Sequence, residues 1–399
     1  MPSPAIRIGL VLAHSLAFYR DILRGVKTFA LKRPDWVLSP ITPEKRAIEL
    51  AGPLRCDGYI AHLFNRATAE ALLALGKPVV NVSGVLPDLP CHRVTVDHAE
   101  VGRLAARHLL NRGVRRFGFV GYPNHEFSVE RERGFREIVE ETGASASSFH
   151  ERAHRAQDPT GLWMWNQSLQ KWLAELHKPV GILASHDTQG AQISEYCRQL
   201  KLRVPDDVAI VGVDNDDLLC ELARPSLSSV ALPSEQIGYE AAALLDRLLD
   251  GKAGPKRPLR LPPVRVVPRQ SSDVLFVEDA EVKQAIRFIR NQAHRPLRVQ
   301  EVLDEVRVSR RWLERRFRET LQCGISEEIR RVHIERALAL LADTELSMTE
   351  IAARAGFSDS RHLSVAFRNE VGQPPSDYRR HLRNQSARLG MSRQSAKGG

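Results

Sequence analysis

No stretch of this sequence offers the roughly 18 consecutive apolar residues that a membrane-crossing helix needs. The opening MPSPAIRIGLVLAHS carries one Arg, and its apolar run is broken by Gly9 and His14, unlike a signal peptide. A cytoplasmic location and no membrane partner are the expectation. The five cysteines (Cys56, Cys91, Cys197, Cys220 and Cys323) are scattered without a CxxC pair. That argues against a disulfide framework and against a thiolate zinc site. No GxGxxG or GxxxxGKS/T follows a strand-like run, since GLVLAHS and GFVGYPN both lack it, so no nucleotide cofactor is expected. No GxSxG occurs and no His, Asp or Glu cluster has metal-ligand spacing, so the chain is not expected to be an enzyme.

What is present is unevenly charged. The net charge is +10. Residues 280–383 hold 20 Lys+Arg against 15 Asp+Glu, and 384–399 add three basic residues and no acid. The first 279 residues are nearly neutral, with 35 basic and 33 acidic groups. A basic end on a neutral body suggests a polyanionic partner for that end.

Short apolar runs at 6–12, 58–61, 78–83, 117–121, 180–184 and 208–213 alternate with helical spacing at 19–32, 68–75, 100–112, 131–141 and 188–200. Continuous apolar strands between amphipathic helices imply parallel sheets covered on both faces. Ligands bind such sheets beyond the carboxyl ends of the strands. His14, Asp187, Asp214 and Asn215 stand there. Residues 257–273, RPLRLPPVRVVPRQSSD, are proline-rich and predict a strand followed by a linker. Beyond them the pattern is wholly helical, and the small, polar, basic tail predicts disorder.

Within 347–380 the spacing predicts a helix, a turn at Gly356 and a second helix capped by Ser358. Leu363, Phe367 and Val371 pack inward at i, i+4 and i+8. Asp359, Ser360, Arg361, His362, Ser364 and Val365 are left near the outward N-terminal end, where a recognition helix meets base edges. Arg361 suits guanine and Asp359 suits cytosine or a neighbouring Arg. Arg368, Arg379 and Arg380 suit phosphates. A second such unit covers 299–320, with Ser309 as cap and Arg310, Arg311, Glu314 and Arg315 exposed. The two capping serines are 49 residues apart. The helix expected at 326–342 would span about 25 Å, which helps set two recognition helices about one DNA turn, roughly 34 Å, apart.

Residues 280–383 resemble the DNA-binding domain of the AraC/XylS family. Ile351, Ala352, Gly356, Phe357, Phe367, Gly372, Pro374, Pro375, Tyr378 and Arg379 carry the resemblance. The first unit departs from it, with Leu303 in place of a small Ala and Arg307 in place of the turn glycine. A strained or differently wound first turn is expected. Residues 6–250 resemble the periplasmic-binding-protein-like sensor of the LacI family, through CDGYIAHL (56–63), VTVDHAEVGRLAARHLLNRGVRRFGFVG (94–121), LASHDTQGAQ (183–192) and VPDDVAIVGVDND (204–216). LacI-type regulators open with their own helix-turn-helix. Here the sequence opens on the sensor, and DNA reading is expected at the C-terminal end.

The resemblances imply an α/β two-lobed periplasmic-binding-protein-like sensor with parallel sheets, followed by an all-α domain with two helix-turn-helix units. The expected boundaries are 1–270 for the sensor, 271–279 for a linker, 280–383 for the DNA-binding domain and 384–399 for a disordered tail. They also imply a cleft between the lobes, a chain that crosses between them more than once, and a homodimer. By family position Arg131, Asp187 and Asp214 enter the cleft, with Asn215, Tyr19, Arg20, His14 and Phe127 as further candidates. His62 is expected to be structural or exposed. Carboxylates, Asn and Arg bind vicinal hydroxyls in paired hydrogen bonds, and an aromatic ring covers a sugar's apolar face. The order of sensor and reader resembles that of regulators of xylose operons. A D-xylose effector, a double-stranded DNA operator, activation rather than repression, and RNA polymerase as a further partner would follow. Two other readings compete: a sugar-metabolising α/β enzyme using Asp187 and Asp214, and a transport-type binding protein. The missing signal peptide and the basic reader domain weigh against the second.

Overall fold

The computed structural model describes residues 5–13, 17–50, 55–151, 166–273, 279–321, 323–371 and 373–380. The chain forms two compact units, Met1–Val274 and Leu275–Gly399. His14 and the expected disordered tail fall outside the described residues.

Among its described residues the first unit contains twelve strands: β1 Ile6–Val11, β2 Trp36–Ile41, β3 Gly58–Ala61, β4 Val79–Asn81, β5 His92–Val96, β6 Phe117–Gly121, β7 Ala146–His150, β8 Val180–Ala184, β9 Val208–Asp214, β10 Ser228–Ala231, β11 Leu259–Leu261 and β12 Arg265–Val267. Its helices are α1 Ala17–Ala30, α2 Lys45–Leu50, α3 Arg66–Leu73, α4 His98–Leu110, α5 Glu126–Glu140, α6 Gln167–Glu175, α7 Asp187–Gln199, α8 Asp217–Leu222 and α9 Ser234–Leu249. The strands make two six-stranded sheets, ordered β11-β5-β4-β3-β1-β2 and β12-β10-β9-β8-β6-β7. Every pairing is parallel except β10 with β12. The central strands β3, β6 and β8 are buried at every position, as continuous apolar runs between two helical layers require.

The chain passes between the sheets three times: between β5 and β6, between β10 and β11, and between β11 and β12. The last passage corrects the reading of 257–273. This segment supplies two strands, one per sheet, instead of one strand and a linker. Pro262 and Pro263 lie between them, where no ladder N–H is needed. Ser271 and Ser272 are fully buried, so they belong to the first unit and the linker starts later than expected. Ser271 Oγ donates to the Ile210 carbonyl at 2.7 Å and accepts from Ser228 N at 2.8 Å.

Helix α4 follows a strand of the first sheet yet packs on α5 of the second lobe. Their backbones touch because Gly102 and Gly134 face each other's helix. A Cβ on Gly102 would collide with the Arg131 carbonyl, and one on Gly134 with the Ala99 carbonyl. This crossing fixes the stretch of α5 that carries Arg131.

The second unit contains α10 Ala280–Gln292, α11 Val299–Val306, α12 Arg310–Leu321, α13 Ile325–Asp343, α14 Met348–Arg354 and α15 Ser360–Val371, with further helix at 375–380. It holds two hydrophobic clusters. One joins α10, α11 and α12 to Ile325, Ile329 and Val332 of α13. The other joins α14, α15 and Tyr378 to Ile334, Ala337 and Leu341 of the same helix. Thus α13, 19 residues long, is core to both helix-turn-helix units and spans roughly 28 Å.

Both turns pass through a left-handed residue, Arg307 at φ 60° and Gly356 at φ 81°. They are not wound alike. Two residues after Arg307 comes the cap Ser309, whose Oγ accepts from Trp312 N at 3.3 Å. Three residues after Gly356 comes Asp359, whose Oδ1 accepts from His362 N at 2.7 Å. Asp359, not Ser358, therefore caps α15, because the chain needs one more residue to leave the longer turn. The Ser358 hydroxyl instead donates to Asp359 Oδ2 at 3.1 Å. Matched by caps, α12 and α15 start 50 residues apart, at Arg310 and Ser360.

Candidate functional site

A cavity of about 430 Å³ opens between the two sheets of the first unit, at the carboxyl ends of the strands. Ligand pockets of small molecules start near this size. The two lobes line it with different chemistry. The first lobe contributes Phe18 and Tyr19 of α1, His62 and Phe64 after β3, Val82–Val85 after β4, and Thr95 and His98 around β5. None of these bears a formal charge while the histidines are neutral. The second lobe contributes Tyr122, Phe127 and Arg131 after β6, Glu151 after β7, His186 and Asp187 after β8, and Asp214 and Asp216 after β9. Among the described residues, every wall carboxylate and the one wall guanidinium come from that side.

Arg131, Asp187, Asp214, Tyr19 and Phe127 stand together in this wall. Arg131 is 3% exposed, lies 5.0 Å from the Phe127 ring centre and donates to the Ser185 carbonyl. Its Nε is buried without a partner. Asp187 is 1% exposed and already engaged: Oδ1 accepts from Ser229 Oγ at 2.5 Å and Oδ2 from Asp216 N at 2.9 Å. Asp214, at φ 112°, keeps more access, with its side chain 29% exposed. Burial raises the pKa of both acids above the usual carboxylate range. Asp214 adds repulsion at Asp187, and Arg131 partly offsets the effect at Asp214. Burial and the nearby Asp214 hold the Tyr19 phenol protonated.

Two candidates stand elsewhere. Asn215 is not part of the wall: its N–H donates to Ser229 Oγ at 3.0 Å and its Oδ1 accepts from Arg269 at 2.9 Å. Arg20 is exposed on α1, one position past Tyr19 and outside the wall.

Sequence reading underrated the imidazoles. His62, His98, His125 and His186 all line the cavity, and the Nδ1 atoms of His62, His98 and His125 are buried without a partner. Burial holds His62 and His186 down to about 3 and lowers His98 also, so all three are neutral near pH 7. The His62 ring lies 4.3 Å from the Tyr19 ring. His186 Nδ1 accepts from Gln189 N at 3.2 Å, which leaves the proton on Nε2 to donate to Tyr122 Oη at 3.1 Å. Tyr122 in turn donates to Glu151. The available signal was positional, because each of these histidines sits just after a strand.

The second unit offers an outward face. Arg310, Arg311 and Arg315 on α12 are exposed, as are Arg361, His362 and Arg368 on α15. Ser360 and Ser364 are half-buried, and Ser364 Oγ donates to the Ser360 carbonyl at 2.8 Å. Ser358 and Asp359 lie in the turn, where Asp359 serves as cap. Arg315 faces Glu319 at 3.6 Å. No ion pair or hydrogen bond to the Arg310, Arg311, Arg361 or Arg368 side chains is present among the described residues. Arg379 differs: it is 6% exposed and donates to the Leu346 carbonyl, so it braces the helix end instead of meeting phosphate. Arg380 pairs with Asp377 at 3.0 Å.

A periplasmic binding protein-like domain model matches residues 106–272, and a helix-turn-helix domain model matches 302–381. The xylose operon regulatory protein of Escherichia coli (strain K12) is 32% identical over 382 residues, covering 94% of this chain and 96% of that protein. Its namesake from Haemophilus influenzae is 31% identical over 338 residues, 82% of this chain and 85% of that one. The solved structure of a xylose-binding transcription activator matches with a TM-score of 0.60 and 31% identity, covering 95% of this chain and 99% of that chain. A regulator from Alkaliphilus metalliredigens QYMF, complexed with D-xylulofuranose, shares the sensor fold, with a TM-score of 0.55 at 20% identity over 67% of this chain.

Proposed function

The chain belongs to the family of the xylose operon regulatory proteins, and we propose that it is a D-xylose-responsive, sequence-specific DNA-binding transcription regulator that activates genes of pentose utilisation. The observation that carries the sugar half is the segregated cavity wall. Asp214, Arg131 and the imidazoles that line the cavity offer acceptors and donors to hydroxyls. Tyr19, Phe64 and Phe127 offer apolar faces to the sugar ring.

The sugar's hydroxyls bond to the charged second lobe, and closure of the first lobe covers its apolar face. Closure follows only if the sugar binds the closed form better. Imidazoles that reach the sugar only from the first lobe provide that difference. Arg131, Asp187, Asp214 and Tyr19 bind the effector, and Asn215 holds the β9–α8 turn behind Asp214. Arg310, Arg311, Arg315, Arg361, His362 and Arg368 face the operator. The protein works in the cytoplasm as a homodimer and acts on RNA polymerase at the promoter. The sugar-metabolising enzyme reading finds no support among the relatives.

A thermal-shift screen of pentoses and hexoses on the full chain tests this. A sugar at 100 times its dissociation constant stabilises by about 2.7 kcal/mol. D-xylose should raise Tm by several degrees and be recovered unchanged. No shift with any sugar would remove the sensor role, and conversion of the pentose would restore the enzyme reading.

A further inference from the structure

The two recognition helices carry the same outward stripe with one exception. Counted from their caps, the second, sixth and ninth residues are Arg311, Arg315 and Arg318 on α12, and Arg361, Val365 and Arg368 on α15. At i, i+4 and i+7 these positions share one helix face. The opposite faces are closed by Leu313 with Phe317 and by Leu363 with Phe367, all fully buried. Five of the six stripe residues are long cations. Val365 stands between Arg361 and Arg368 with 56% of its surface exposed. The other apolar residues of α15 whose contacts are described pack inward against the second cluster. A β-branched apolar residue on an otherwise cationic stripe contributes nothing to this core, and it is a weaker helix former than the arginine in the sister helix.

In the major groove only thymine presents a methyl group, and apolar side chains contact it. Arginine pairs with guanine O6 and N7. Resting on the DNA-reading assignment above, we propose that Val365 is a specificity residue that reads a thymine C5 methyl, and that the operator therefore consists of two non-identical subsites. Both subsites present a guanine, to Arg311 and to Arg361. They diverge one helical turn further along the stripe: the α15 subsite carries thymine there, and the α12 subsite carries a base suited to Arg315.

The test uses the full chain with D-xylose and duplexes it selects from a random pool. In the selected duplex each thymine is replaced singly by deoxyuridine, which removes only the methyl. One replacement should weaken binding about fourfold, the worth of one methyl group taken from water. The Val365→Ala variant should bind the parent duplex about fourfold more weakly and be indifferent to that same replacement. Val365→Arg should select guanine at that position. The proposal is overturned if no deoxyuridine weakens binding, or if Val365→Ala keeps the full penalty. Failure to enrich any sequence would instead overturn the DNA-reading assignment itself.

Discussion

Arg131 Nη2 and Asp214 Oδ1 face each other across 3.9 Å at the cavity wall, a separation too long for a hydrogen bond. Opposite charges held at that distance and largely out of water leave each partly unsatisfied. A hydroxyl that donates to Asp214 while Arg131 Nη2 donates to its neighbour would satisfy both. Asp214→Asn, close in shape but uncharged, should therefore abolish the D-xylose thermal shift while far-UV circular dichroism stays unchanged.

The same pair sets a pH dependence. Burial raises the pKa values of Asp214 and Asp187, so they take up protons well above pH 4, where ordinary carboxylates remain ionised. A protonated carboxyl is a poorer acceptor for a sugar hydroxyl. D-xylose affinity should thus fall as pH is lowered from 8 towards 5, the direction that follows from raised acids. His62 and His186 titrate near 3 and stay neutral throughout that range. Calorimetric titration across the range checks the slope.

His62→Phe retains a ring against Tyr19 and removes the unpartnered Nδ1. If that nitrogen bonds the sugar, affinity should drop by about 1 kcal/mol, roughly fivefold. Unchanged affinity by calorimetry would return His62 to a packing role.

The two turns should respond oppositely to exchange. Gly356→Ala places a Cβ against the His333 ring and 2.7 Å from the Arg295 carbonyl, at a φ of 81°. It should cost upwards of about 2 kcal/mol in urea unfolding of the full chain. Arg307→Gly relieves a left-handed non-glycine residue whose side chain is exposed. The relief of about 1–2 kcal/mol is largely offset by the entropy of an added glycine, so stability should stay level or rise slightly.

Arg311 and Arg361 hold matched places, so each alanine substitution should cost about 1–3 kcal/mol of specific binding and relax preference at one guanine. Arg368→Ala should weaken all sequences alike and flatten the salt dependence by about one unit. Gel-shift titrations at several salt concentrations separate the two behaviours. In the same assay series, Asp359→Ala should lower thermal stability by about 1 kcal/mol through loss of the α15 cap, and Ser358→Ala should cost less.

Strands buried on both faces were legible as sequence: β3, β6 and β8 coincide with unbroken apolar runs. Edge strands were not. WVLSPI in β2 and ASSFH in β7 form the ends of their sheets, where one side needs no apolar cover and polar residues blur the pattern. The split of β11 from β12 was hidden because a three-residue strand has no periodicity to read. The carboxylates and Arg131 could be placed by family position. The histidines could not, since they are spread from His62 to His186 and converge only through the fold. The one-residue difference between the two turns also escaped the sequence, because serines at 309 and 358 suggested equivalent caps where the structure uses Ser309 and Asp359.

Helix α13 leaves one cluster at Val332 and enters the other at Ile334, with His333 buried between them. The helical phase between the two reading heads is therefore set at a single residue. Inserting one residue there would turn one head by about 100° and advance it by about 1.5 Å relative to the other. Both heads would still fold, yet they would no longer meet the same side of a duplex. The domain should tolerate many substitutions on the exposed side of this helix and very few changes in its length.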